Sequence, residues 1–187
     1  MADRTARQER NEQRRRRILD AAQERADSAG WAAVTTRHLA DAIGYTQPVL
    51  YGHFPGGKEE IMRTLALEGF DELARRSRDA LGSARGSLAV QAVANAYLGF
   101  ADEHPAVYEA MFSGEIGARF GEEGNEPELR AGFEALRSAI GDDGDGSATE
   151  VFWAALHGIC TLEHAGRMRP EHRAARIAEL ATRFRRA

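Results

Sequence analysis

Residues 45–54 read "YTQPVLYGHF". Pro48 stands inside an otherwise helical pattern, and two tyrosines, a histidine and a phenylalanine crowd around it. A proline in a helix interior removes a hydrogen bond and clashes with the preceding turn. In the first turn its N–H has no intrahelical partner to lose and its fixed φ suits the helix. Thr46, two residues earlier, is an N-cap residue type whose hydroxyl would satisfy a free backbone N–H. Pro48 therefore marks the start of a helix. Just upstream, "TRHLADAI" reads as another short helix, opened by Thr35 or Thr36, with Leu39, Ala40 and Ile43 on one face and Gly44 as its stop. Two short helices joined by the tight turn "GYT" describe a helix-turn-helix.

The rest of the chain extends this all-α pattern. A first helix over about Glu12–Ala29 places Ile18, Leu19, Ala22 and Ala26 on one face and ends at Gly30. Leu39, Ile43, Leu50 and Phe54 complete a small core. Further helices are expected over about 58–81, from a cap at Ser87 to Glu103, over Pro105–Phe112 and over Pro127–Ile140. An apolar helix capped by Ser147 should reach about Ala165, and a last one opens at Pro170. "SGEIGARFGEEGN", residues 113–125, reads as a mobile loop. Period-2 alternation persists nowhere, so no sheet is expected. The chain divides into an N-terminal three-helix domain, residues 1–58, with 1–11 as a flexible arm, and a helical C-terminal domain, residues 59–187.

Composition narrows the functional classes. The chain has 187 residues, 43% of them hydrophobic, enough for a sizeable core. Cys160 is the single cysteine, which excludes an intramolecular disulfide and points to a reducing cytoplasm. No apolar run approaches a membrane span, and no secretory pattern follows the basic N-terminus. The net charge of −4 is unevenly spread: residues 1–58 carry +3 and the remainder −7. A basic N-terminal piece on an acidic body fits a polyanionic partner for that piece. Lys58 is the only lysine. No Gly-rich phosphate loop, nucleophile motif or metal-ligand spacing argues for an enzyme, and no cofactor or metal is expected.

The stretch from Arg17 to Leu67 resembles the DNA-binding domain of the TetR family of bacterial transcriptional regulators. The residues that carry the likeness are Gly30 before an aromatic, Thr35-Thr36 opening the second helix, and Leu39-Ala40. Gly44, Leu50-Tyr51-x-His53-Phe54 and Lys58 at the next helix start complete it. The resemblance implies a homodimer that binds a pseudo-palindromic operator in double-stranded DNA, most often as a repressor, and leaves it when a small molecule binds the C-terminal domain. Gln47, with Thr46 and Pro48 beside it, would reach base edges in the major groove, where Gln pairs well with adenine. Tyr51, His53, Thr35, Thr36, Arg37 and Lys58 would meet phosphate, and Arg17, in the run from Arg14, would add backbone contacts. Two departures from the pattern are visible: Gly52 replaces a bulkier residue, and "PGGK" lengthens the following loop by one.

In the C-terminal part, Trp153, His157 and Gly158 resemble a Trp-x-x-x-His-Gly motif of one TetR-like subgroup. Val151, Ala155, Gly158 and Leu162 share one face of their helix, and Ile177, Leu180 and Phe184 one face of the last. The resemblance implies that these two helices pair with their mates in a dimer. A candidate pocket is lined by His104, Tyr108, Met111, Phe112, Trp153, His157, Cys160 and His164. His157, Cys160, Glu163 and His164 fall at i, i+3, i+6 and i+7, a spacing open to metal or thiol sensing but more often that of core residues. Two alternatives stay open: a redox-sensing regulator acting through Cys160, and a DNA-binding protein that ignores ligands.

Overall fold

The computed structural model describes residues 2–113 and 127–184; the expected loop at 113–125 lies almost wholly outside them. Among the described residues the chain forms nine α-helices and no strand. They are α1 (Ala2–Ala29), α2 (Thr36–Ile43), α3 (Gln47–His53), α4 (Gly57–Leu81), α5 (Gly86–Glu103), α6 (Pro105–Phe112), α7 (Pro127–Ile140), α8 (Ser147–His164) and α9 (Arg173–Phe184). Single 3-10 turns, Trp31–Ala33 and Pro170–His172, precede α2 and α9. Helix α1 starts at Ala2, ten residues before the expected start, because 2–11 contains good helix formers and no glycine or proline. The absence of an apolar face there is what made it read as an arm.

The helices group into two compact units. The first takes the chain up to Leu67 together with α6, and the second takes Glu68–Glu103 with α7, α8 and α9. The division thus falls inside α4, later than the expected 58/59 boundary, and α6 joins the N-terminal helices. In the first unit α1 packs on α2 and α6, and α2 on α3. Its core is the expected one: Ile18, Leu19, Ala22, Ala26, Leu39, Ala40, Ile43, Leu50 and Phe54 are all buried. Gly44 closes α2 at φ 73, a left-handed conformation open to glycine at no steric cost, and turns the chain into α3.

Two polar contacts, one buried and one partly buried, explain why α6 sits with the first unit. The Trp31 indole N–H donates to the Ala106 carbonyl at 2.8 Å, and the Ala106 N–H donates to the Asp27 carboxylate at 3.1 Å. Residue His104 precedes α6 but gives no side-chain cap. Asp27 supplies from α1 the acceptor that a local cap would have given, and its charge suits a helix N-terminus.

In the second unit α5 packs on α7, α8 and α9, and it buries residues all round, from Ala89 and Val90 to Tyr97, Phe100 and Ala101. Helix α8 packs on α5, α7 and α9 but keeps one apolar face in solvent, where Val151 is 60% and Leu162 37% exposed. Ile177 and Leu180, expected at a dimer interface, are instead buried inside the unit, where α9 packs against α5. Phe184 rests on Phe152 with ring centroids 5.1 Å apart. The apolar face of α9 is therefore used within the protomer, since α5 needs a cover on that side. At the start of α8 the cap position falls on Gly146, and Ser147 is the first helical residue, with its N–H and hydroxyl both donating to Asp145.

Replacing Trp31 by Phe removes the donor to Ala106 and leaves a smaller ring in the same buried site. The expected loss is roughly 2–4 kcal/mol of stability, from the lost bond and the cavity together, read as a lower urea midpoint with an unchanged m-value.

Candidate nucleic-acid interface

Helix α3 has seven residues, too few to be stable alone. Its local capping is also thin. Thr46 occupies the N-cap position with extended backbone, but its hydroxyl makes no cap bond, contrary to expectation. The reason is Pro48: a cap hydroxyl accepts from the second or third helical N–H, and proline removes the second. The third, on Val49, bonds the Thr46 carbonyl at 3.0 Å. Thr35 does cap α2, accepting from the His38 N–H at 3.1 Å.

What holds α3 comes from α1. The Arg15 guanidinium donates to the His53 carbonyl at 3.0 Å, in the last turn of α3, and lies 4.1 Å over the Phe54 ring. It also donates to the Thr64 hydroxyl of α4 at 3.4 Å. Arg17 does the same for α2, donating to the Ile43 carbonyl at 3.1 Å. Arg14 and Arg17 both approach the ring of Tyr45, at 5.5 and 5.6 Å. Cations at carbonyl-rich helix C-termini are favourable, and cation–π contacts add to them. The arginine run is thus part of the scaffold. Sequence reasoning missed Arg15, although a signal existed: extending the stripe of Ile18, Leu19 and Ala22 back one turn lands on it.

Held this way, α3 buries Leu50 and turns Gln47, Pro48, Tyr51 and Gly52 outward, with Tyr51 45% exposed. His53 is half-buried, and Thr35 and Arg37 are exposed at the start of α2. Beside α3 lies a cleft of about 610 Å³, lined by Val34, Thr35, Thr36, Tyr51, Gly57 and Lys58 among others. It collects the N-termini of α2 and α4, the positive ends of both helices. The Tyr51 and Thr36 hydroxyls are 3.5 Å apart across it. Gly57 has φ 61, and a Cβ there would lie 3.4 Å from the Tyr51 ring and 3.5 Å from the Thr36 methyl. The Lys58 ammonium donates to the Trp31 carbonyl at 2.6 Å, which fixes its stem while two further N–H donors remain. Of the expected DNA-facing residues, Thr35, Thr36, Tyr51 and Lys58 converge on the cleft, Gln47 and Pro48 lie on the outer face of α3, and Arg17 is engaged with α2.

The expected pocket residues divide between the units. His104, Tyr108, Met111 and Phe112 belong to the first, with the Tyr108 and Phe112 rings 4.8 Å apart. Trp153, His157, Cys160 and His164 belong to the second. There the Trp153 N–H donates to the Tyr97 hydroxyl at 3.1 Å, and desolvation lowers the pKa of His157 from its ordinary 6.5. Cys160 is 2% exposed. Glu163 pairs with Arg176 and Arg173, and His164 lies 3.4 Å from Asp102. Among the described residues no three metal-ligating side chains come together.

A helix-turn-helix whose second helix is held from behind and exposed in front, beside a cleft of helix N-termini, defines a DNA-binding regulator. The family profile described as "Bacterial regulatory proteins, tetR family" matches residues 18–65, and "Tetracyclin repressor-like, C-terminal domain" matches residues 90–184. An uncharacterised HTH-type transcriptional regulator of Mycobacterium tuberculosis is 32% identical over 164 residues, 82% of this chain and 72% of that protein. Another, YobS of Bacillus subtilis, is 36% identical over 93 residues, which are 50% of this chain and 48% of YobS. Among solved structures, the TetR-family regulator PfmR of Thermus thermophilus superposes with a TM-score of 0.64 at 23% identity, covering 91% of this chain and 99% of PfmR. A tetR-family regulator of Streptomyces coelicolor gives 0.69 at 20% identity, covering 92% and 79%. The chain belongs to the TetR family of bacterial transcriptional regulators. No helix among the described residues is long and apolar enough to cross a membrane.

Arg15→Met keeps the stem over Phe54 and deletes the donors to His53. The amides of α3 should then exchange with solvent faster by about tenfold, the equivalent of roughly 1.4 kcal/mol for a charged donor, while those of α5 are unchanged. His157 gives a pH signature. Its folded pKa lies below the unfolded one, so the unfolded chain takes up the proton first. The stability it preserves is complete above about pH 6.5 and is lost as the pH falls below that value. His157→Gln should flatten the acid side of the midpoint-versus-pH curve.

Proposed function

We propose that this chain represses transcription as a homodimer on a pseudo-palindromic operator and leaves it when a small molecule binds the C-terminal domain, residues 59–187. The observation that carries the DNA side is the cleft beside α3, which brings Thr36, Tyr51, Lys58 and two helix N-termini together as hydrogen-bond donors for phosphate. Gln47 and Pro48, exposed at the start of α3, face the base edges, and Arg37, His53 and Thr35 flank the backbone contacts. The polyanion is drawn by the basic end of a chain that is acidic elsewhere.

The dimer reading rests on α8. Val151, Ala155, Gly158 and Leu162 make a stripe that is apolar, small enough for close helix approach, and partly in solvent within a protomer. A second copy placed on it by a two-fold axis gives an isologous contact. Two recognition helices then read half-sites roughly 34–36 Å apart. The repressor reading draws on the likeness of residues 90–184 to tetracyclin repressor-like C-terminal domains. In the second unit, the half-buried Trp153 and His157 beside Cys160 are the side chains we assign to the effector. Release needs only a ligand that prefers the form with mis-spaced recognition helices. A preference of about 5.5 kcal/mol moves the population from 1:99 to 99:1.

The test uses a duplex enriched from a randomised library by the full chain, with affinity followed by anisotropy over a salt series. Tyr51→Ala and Lys58→Ala should each weaken binding, and Lys58→Ala should reduce the slope of log affinity against log salt by about 1. Parent-like affinity and slope in both variants would refute the phosphate assignment.

A further inference from the structure

Helix α3 contains a glycine that the protein itself does not require. Gly52 has an ordinary negative φ, unlike Gly44 and Gly57. A Cβ built on it meets nothing within 4 Å, and the residue is exposed. The contrast with Gly57 is direct: there the backbone is left-handed and the Tyr51 ring closes in at 3.4 Å. Glycine inside a helix is unfavourable relative to alanine, because it fixes a more flexible backbone and packs nothing. The helix that bears it has seven residues and no side-chain cap, so it is the helix least able to absorb that penalty. Neither backbone geometry nor internal packing accounts for the missing side chain.

Its position indicates what does. Gly52 follows Pro48 at i+4, so the two share one strip along α3, beside the strip formed by Gln47 and Tyr51. One strip carries an amide and a phenol able to hydrogen-bond. The other carries a compact ring with no N–H and a residue with no side chain at all. A helix with one bare side can lie closer to a surface on that side than any side chain would allow.

We infer that Gly52 is a specificity-determining position: its missing side chain lets the α3 backbone approach the wall of the DNA major groove, which brings the short Gln47 amide within direct reach of a base edge. This rests on the reading that α3 enters the groove. A Cβ at residue 52 lifts the helix, so base contacts lengthen first. Phosphate contacts from Lys58 and Thr36, on the cleft side, change less. Gly52 thereby acts on the distinction between operator and other DNA more than on DNA affinity as such.

The experiment compares Gly52→Ala and Gly52→Leu with the parent on two probes: the duplex enriched from a randomised library by the parent chain, and a scrambled duplex of the same composition. Thermal midpoints are measured alongside. Gly52→Ala should melt higher than the parent while its affinity for the enriched duplex drops about tenfold, the scale of one lost base contact. Its affinity for the scrambled duplex should hold, and Gly52→Leu should lose more of the ratio between the two. Gln47→Ala serves as the control for α3 docking. If Gln47→Ala loses operator affinity and both Gly52 variants keep it, the role of Gly52 is wrong and the docking stands. If all three bind like the parent, the docking of α3 fails and the inference with it. A lower melting point for Gly52→Ala would assign the glycine to the fold and overturn the inference equally.

Discussion

The Arg15 guanidinium, donated from α1 to the end of α3, is the contact on which the rest of the DNA-facing unit depends. A seven-residue helix with no side-chain cap has no stable orientation of its own. Leu50 and Phe54 anchor one side of it by burial, which fixes depth but not direction. Arg15 adds direction, because it bonds the His53 carbonyl, covers the Phe54 ring and bonds Thr64 of α4 at once. A planar fork suits this, since each of its donors has a fixed angle. Arg17 holds α2 by the same chemistry at Ile43. The long first helix therefore sets the geometry of both helices of the helix-turn-helix, and Gln47, Pro48, Tyr51 and Gly52 are free to face outward.

The fold was legible where periodicity and punctuation agree. Pro48, Gly44, Pro105 and Pro127 each marked a helix end, and the apolar spacing of Ile18, Leu19, Ala22 and Ala26 marked the core face. Legibility failed where the partner of a group lies far along the chain. Nothing local in the sequence says that Asp27 caps α6, that Trp31 bonds Ala106, or that Arg15 reaches His53, since these are contacts between residues 38 to 79 apart. The Thr46 cap failed for a nearer reason, since Pro48 removes one of the N–H groups it would have served. The face of α9 was legible as apolar but not as intramolecular: Ile177 and Leu180 carry the same pattern whether α5 or another copy covers them. Position on a helix tells which residues are buried, and only the packing tells by what.

In the second unit, charge is arranged to fix the ends of helices. Asp102 at the end of α5 takes Arg173 at 2.6 Å, and Glu163 of α8 takes Arg176, whose guanidinium also bonds the Arg169 carbonyl at 3.0 Å. These pairs lie around the start of α9, where its buried Ile177, Leu180 and Ala181 begin to cover α5. Glu163 and Arg176 are mostly buried, so their geometry defines the register of α9 more than it adds stability. With α9 facing inward, the exposed apolar residues Val151 and Leu162 lie on α8.

The central claim is that DNA meets the outer face of α3. It is tested most directly by photo-crosslinking, with a benzophenone amino acid placed at Val49, a half-buried α3 residue with no assigned DNA contact, in one variant and at Leu88, an exposed site of the second unit, in another. Irradiation with a radiolabelled operator duplex should yield a covalent adduct from position 49 that unlabelled operator competes away, and none from position 88. Equal adducts from both, or an adduct from position 88 alone, would contradict the account.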